Sequence, residues 1–195
     1  MAKVIERGVI IEDPPLARFL FSNTRMAWVW LAVRVWLGYQ WIEAATHKVT
    51  DPAWMQSGAA LKGFWERAVA VPATGKPTIS FPWYREFLQY LLANHAYTWF
   101  GKVVAVGELA IGIALVLGIF VGITAFFGGF MNWNFMMAGT ASTNPVLFAI
   151  AILLVLAWKT AGYIGLDYYL LPLLGTPWRP GRAFRGAHRA HSVPA

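Results

Sequence analysis

The chain has 195 residues, 58% of them hydrophobic and only 13% charged, and its mean hydropathy is +0.51. Soluble domains carry roughly 25% charged residues, so this composition leaves little polar surface to solvate a water-soluble fold. Cysteine is absent, which excludes disulfides, thiolate metal sites, cysteine-ligated iron–sulfur clusters and cysteine nucleophiles.

The net charge of +7 is unevenly placed. Arg179, Arg182, Arg185 and Arg189 follow the last apolar run with no acid after Asp167. A basic flank beside an apolar span is a topology signal for a cytoplasmic end and attracts anionic lipid, so membrane lipid rather than nucleic acid is the expected partner. Residues 1–25 lack the short apolar core and small-residue cleavage site of a signal peptide and read as a cytoplasmic N-terminal arm.

Four spans follow. The first, Met26–Ala45, is rich in Trp and interrupted by Arg34. Residues 47–99 form an outer segment rather than a plain linker. Within it Asp51–Val71 sets Leu61, Phe64, Trp65 and Ala68 at helical spacing against Lys62, Glu66 and Arg67, and Pro82–His95 repeats the theme. Such aromatic amphipathic helices suit a membrane interface. The second span is Phe100–Leu117. A glycine hinge at Gly118–Gly122 leads to the third, Val121–Gly139, and Asn144-Pro145 opens the fourth, Val146–Ile164. Each approaches the roughly 20 residues that a bilayer needs. The expected fold is all-α: an integral membrane four-helix bundle over residues 26–170, with amphipathic interfacial helices between helices 1 and 2 and a basic cytoplasmic tail from 171 to 195.

Glu108 lies in the middle of the second span, where a charge needs a partner, a water cavity or a proton to carry. Counting about 1.5 Å per residue from Arg25 and from Trp99 puts Arg34 and Glu108 each about 14 Å deep, so an Arg34–Glu108 pair is expected near mid-membrane. It serves either to lock two helices together or to carry chemistry. On the first span Arg34, Gly38, Trp41, Ala45 and Lys48 form one row, while Trp36, Gln40, Glu43 and His47 form another. Glu43 and His47 are a candidate proton relay near the outer surface, and a metal reading lacks further ligands. In the third span Asn132 shares a face with Gly128 and Phe135, whereas Asn134 points nearly opposite. Each asparagine is read as pocket-lining or as bonding a neighbouring helix, and Trp41 and Trp133 as interfacial anchors or stacking platforms.

The stretches HKVTDPAW (47–54), SGAALKGFW (57–65), GELAIGIALVLG (107–118) and MNWNFMMAGTASTNP (131–145) resemble the DoxX family of four-helix membrane proteins. The resemblance is greater to its DoxD branch, the larger subunit of thiosulfate:quinone oxidoreductase. It implies a multi-pass protein of a prokaryotic cytoplasmic membrane, linked to thiosulfate or a related sulfur donor and to a quinone. On that reading the quinone ring lies near Trp41, Asn132, Trp133 and Asn134. Glu108, with Arg34, Glu43 and His47, handles protons, and His47 and Lys48 attract the anionic donor. The alternative is a non-catalytic accessory subunit, packed against other subunits of a larger respiratory or photosynthetic membrane complex.

Overall fold

The computed structural model describes residues 13–175, and within them the chain is helical with no strand. Residues 1–12 of the arm and the four tail arginines lie outside the described residues. In chain order the helices are α1 (Pro15–Ser22), α2 (Ala27–Val49), α3 (Pro52–Met55), α4 (Ala59–Val69), α5 (Pro82–Ala93), α6 (Tyr97–Leu117), α7 (Val121–Met137), α8 (Asn144–Leu156), α9 (Trp158–Ala161) and α10 (Asp167–Leu174). A 3₁₀ turn, Thr24–Met26, leads into α2. Proline opens α1, α3 and α5 and occupies the first turn of α8, where its missing N–H costs no helical hydrogen bond.

The expected arm is a docked helix from Pro15 onward. Trp30 Nε1 donates to the Leu20 carbonyl over 2.8 Å, Phe21 stacks on Trp30, and Thr160 Oγ1 donates to the Phe21 carbonyl. Four apolar helices, α2, α6, α7 and α8, make the body. Among the described residues, α6 alone is long and apolar enough by itself to cross a membrane, with a mean hydropathy of 2.0 over its best window. The expected fourth span is broken: α8 ends at Leu156, and the chain bends at Ala157 into α9. The bend lays Trp158 against Gly122 of α7.

α2 packs along α6 and α7 along α8, while α6 and α7, though consecutive, touch less. The α2–α6 contact is centred on two glycines. A Cβ on Gly38 would sit 2.8 Å from the Gly112 carbonyl oxygen, and one on Gly112 would sit 2.7 Å from Ile42 Cγ1 and 2.9 Å from the Gly38 oxygen. The two backbones therefore meet directly, as small residues permit between apolar helices.

The inner core contains Trp30, Leu37, Trp41, Leu115, Val121 and Leu154. A second core, around Leu61, Trp65, Ile79, Tyr84 and Leu88, fastens α4 and α5 over the outer ends of α6 and α7. The helical spacing read for residues 51–71 holds here: Leu61, Trp65 and Ala68 are buried, Phe64 is half-buried, and Lys62, Glu66 and Arg67 face out.

At the opposite end the α6–α7 turn is held from afar. Gly118 ends α6 at φ 75°, and Phe120 precedes α7 at φ 43°. Asp167 accepts from the backbone N–H groups of Phe120 (2.6 Å) and Val121 (2.8 Å), while its own N–H donates to the Gly118 carbonyl. A carboxylate thus sits on the N-terminus of α7, where free N–H groups and the helix dipole favour it. Replacing Gly112 with Ala puts a methyl group into the α2–α6 contact. It is expected to lower stability by about 1–3 kcal/mol, read as a lower melting temperature of the purified protein in detergent.

Candidate functional site

The row predicted on the first span is real, but its pairing is not the predicted one. Arg34, Gly38, Trp41 and Ala45 are buried on the face of α2 that meets the bundle, with Lys48 at the outer end of the row. Glu108 is 1% exposed, and its partner is Lys48, whose Nζ lies 2.6 Å from both Oε1 and Oε2. Arg34 makes no bond to Glu108. Its Nη1 donates to the Leu115 carbonyl over 2.9 Å and its Nη2 to the Ile164 carbonyl over 2.8 Å.

The reason is the direction in which helical side chains lean. Every Cα–Cβ bond tilts toward its own helix's N-terminus. α2 and α6 run antiparallel across the Gly38–Gly112 contact, so Lys48 leans down α2 while Glu108 leans up α6, and the two converge. Arg34 leans the same way as Lys48 but starts from the other side of that contact, so it is carried away from Glu108, toward the C-terminus of α6. There the Leu115 carbonyl lies in the last turn and accepts only a long 3.3 Å bond from the Gly118 N–H, which leaves it open to Arg34. Depth arithmetic places the two Cα atoms at similar levels, but the Gly38–Gly112 register sets Arg34 beside the C-terminal turn of α6, and the lean carries its head further from Glu108. Leu115 is seven residues beyond Glu108, about 10 Å along the axis.

The ammonium of Lys48 is sheltered as well as paired. It lies 5.2 Å from the ring centroid of Trp54 in α3 and 5.5 Å from that of Phe135 in α7, within cation–π range. Its side chain is 21% exposed, so Lys48 links the sealed carboxylate to the outer side of the bundle.

Asn132 and Trp41 belong to the same interior. The Cβ position of Gly128 is 3.2 Å from Trp41 Nε1 and 3.4 Å from Ile111, and Asn132 follows one turn later on α7. Both side chains are buried, and neither Trp41 Nε1 nor either amide atom of Asn132 has a hydrogen-bond partner among the described residues. Unpaired polar atoms in an apolar interior cost free energy. Glu43 and His47 are exposed on a different face of α2, and the structure does not bring them to Glu108. Among the described residues no cluster of three His, Asp or Glu side chains is positioned to hold a metal ion.

Trp133 and Asn134, on the other face of α7, line a second space. A groove of about 790 Å³ runs between α6 and α7 beneath α4 and α5, within the size range of small-molecule sites. Val103, Gly107 and Ala114 form one wall, Ile123, Phe127 and Phe130 the other, and Tyr84 and Phe87 contribute to its cover. Ile111 and Phe135 line the groove too, and both also face the interior that holds Lys48, Glu108 and Trp41. The groove and the ion pair therefore share a wall.

Tyr84 is the residue that sequence reading passed over. Its hydroxyl lies 3.1 Å from both the carbonyl oxygen and Oδ1 of Asn134, and burial pushes its phenol up to about 12. The phenol therefore keeps its proton at neutral pH. The available signal was the amphipathic pattern of Pro82–His95, which places Tyr84 and Leu88 on one face.

Removing Lys48 alone, as in Lys48→Met, leaves a buried carboxylate without a partner and is expected to cost about 3–5 kcal/mol of stability. Lys48→Met combined with Glu108→Gln should recover most of that loss. Coupling between Arg34→Met and Glu108→Gln should stay within about 0.5 kcal/mol, since the two groups share no bond. A double-mutant cycle of unfolding free energies reads both.

In comparisons with protein-family models, with curated proteins and with solved structures, nothing matches this chain.

Proposed function

We propose that the chain is a DoxD-like, multi-pass membrane protein that binds a quinone as part of a quinone-linked oxidoreductase, with thiosulfate or a related sulfur anion as donor. The observation that carries the reading is the lateral groove between α6 and α7, separated from a buried Lys48–Glu108 pair by one shared wall.

Several features support a membrane setting. The outward residues Val103, Val106, Ile123, Phe126, Phe127 and Phe130 are all exposed and apolar. Contiguous apolar surface of this kind marks contact with lipid or protein. α7, at 17 residues, is about 26 Å long, and α8 with α9 is of similar length. Such helices match a hydrocarbon core of about 30 Å with slight thinning of the bilayer. Four crossings, by α2, α6, α7 and α8–α9, would leave both termini on one side, and the basic tail favours the cytoplasmic side of a prokaryotic cytoplasmic membrane.

A quinone, when bound, supplies the two-electron, two-proton acceptor; the chain's own residues bind it, exclude water and supply protons. The groove offers an apolar lining open to the side, suited to a molecule that arrives from lipid. Glu108, the only carboxylate in α6, lies behind the groove's wall with the Lys48 ammonium against it, so the pair is placed to pass a proton between them. Lys48, its charge balanced by Glu108, holds that carboxylate rather than serving as a free anion site. His47, exposed on the outer side of α2, is left as the donor-facing residue of the two.

A second reading, an accessory subunit of a larger membrane complex, is favoured by Trp28, Trp36 and Tyr39. These lie exposed on α2, the helix richest in Trp.

Purified protein in detergent, assayed with thiosulfate and a soluble quinone analogue, should reduce the quinone. Glu108→Gln should lower that rate about 100-fold, the scale of a lost general acid–base group, while the melting temperature reports whether the variant is folded. Absence of turnover, together with stoichiometric co-purifying subunits after mild solubilisation, would establish the accessory reading instead.

A further inference from the structure

The groove is polar at one end only. It follows α6 from Phe100 to Ala114, about 21 Å of helix, and none of the residues that line it carries a charge. At the inner end Thr124 turns its hydroxyl onto the Ile119 carbonyl. At the outer end Tyr84 and Asn134 meet, flanked by aromatic rings: Trp133 lies edge-on to Tyr84 at 6.3 Å and stacks on Phe130 at 5.9 Å.

Hydrogen-bond counting shows what this end has left to offer. The Tyr84 hydroxyl has one proton, directed at Asn134, and retains lone pairs that can accept. Asn134 Nδ2 gives one proton to the Phe130 carbonyl over 2.8 Å and keeps a second. One acceptor and one donor therefore remain at the mouth of an apolar, aromatic-walled channel.

We infer that Tyr84 and Asn134 recognise the oxygen-bearing ring of a neutral amphiphile, whose hydrocarbon tail lies along α6 toward Ala114. A carbonyl on the ring takes the spare amide proton of Asn134, whose amide the Tyr84 hydroxyl holds in place by donating to Oδ1; in the reduced ring a hydroxyl also donates to Tyr84. The head is neutral and planar: a phosphate would find no cation among the lining residues, whereas a flat ring meets the aromatic side chains of Trp83, Phe87, Phe130 and Trp133. This site rests on the quinone reading of the groove and specifies where that ring is held.

The test uses the full chain in detergent micelles without any electron donor. Trp83 and Trp133 line the groove, so quenching of tryptophan fluorescence by a decyl-chain benzoquinone reports binding. A dibrominated phosphatidylcholine serves as a probe for simple acyl-chain occupancy. Tyr84→Phe keeps the ring and removes the hydroxyl, and Asn134→Leu removes the amide. Each is expected to weaken benzoquinone binding about tenfold while leaving quenching by the brominated lipid unchanged. Should Tyr84→Phe unfold the cover, Asn134→Leu reads the same loss from α7. Benzoquinone binding unaltered in both variants, or displaced by the brominated lipid at equal concentration, overturns the ring site. Variant-sensitive binding without turnover upholds the ring site and removes only the oxidoreductase reading. Turnover with variant-insensitive binding does the reverse.

Discussion

The backbone contact of Gly38 with Gly112 fixes how α2 and α6 face each other, and the interior is organised from that point. Two basic residues on one row of α2 lie on either side of it. Because both lean toward the start of α2, Lys48 is carried into reach of Glu108 and Arg34 is carried away from it. One geometric rule thus separates a charge-neutralising contact near the outer cap from a carbonyl-binding contact near the inner turn. A side chain at either glycine would force the helices apart and loosen both.

The groove follows from an asymmetry in how the helices pair. α6 is committed to α2 and α7 to α8, which leaves the two central helices joined by a short turn but only loosely packed on each other. The opening between them ends at Ala114, Ile123 and Thr124 beside the inner turn, which Asp167 holds, and at the outer end it is covered by α4 and α5. α7 consequently has two chemically different faces. Asn132 lies in the sealed interior with Trp41, and Asn134 lies in the groove with Tyr84.

Much of this was legible from residue spacing. The apolar runs located α2, α6 and α7 to within a few residues, and the helical pattern of residues 51–71 predicted which side chains are buried. The opposed orientation of Asn132 and Asn134 follows directly from a 100° turn per residue. The partner of Glu108 did not follow. Counting residues from assumed membrane edges puts Arg34 and Glu108 at one height, whereas the Gly38–Gly112 register sets Arg34 beside the last turn of α6. An arginine or lysine head also lies several ångströms from its Cα, in a direction set by the course of the helix. The break at Ala157 was equally hidden, because Trp158 leaves the helical line to meet a glycine 36 positions earlier, a contact between distant parts of the chain. Asp167 escaped notice for the same reason: its role at the start of α7 exists only once residues 118–121 and 164–167 have come together.

That long-range closure bears on the order in which the protein is built. Synthesis delivers α6, its turn and α7 well before residues 164–167 leave the ribosome, and chains assemble largely from the N-terminus onward. Until then the first amides of α7 lack their carboxylate, and Arg34 has only one of its two carbonyl acceptors. The α6–α7 turn therefore gains its carboxylate, and Arg34 its second acceptor, only when residues 164–167 fold back onto the hairpin. In a chain cut before Asp167 the hairpin would lack that latch.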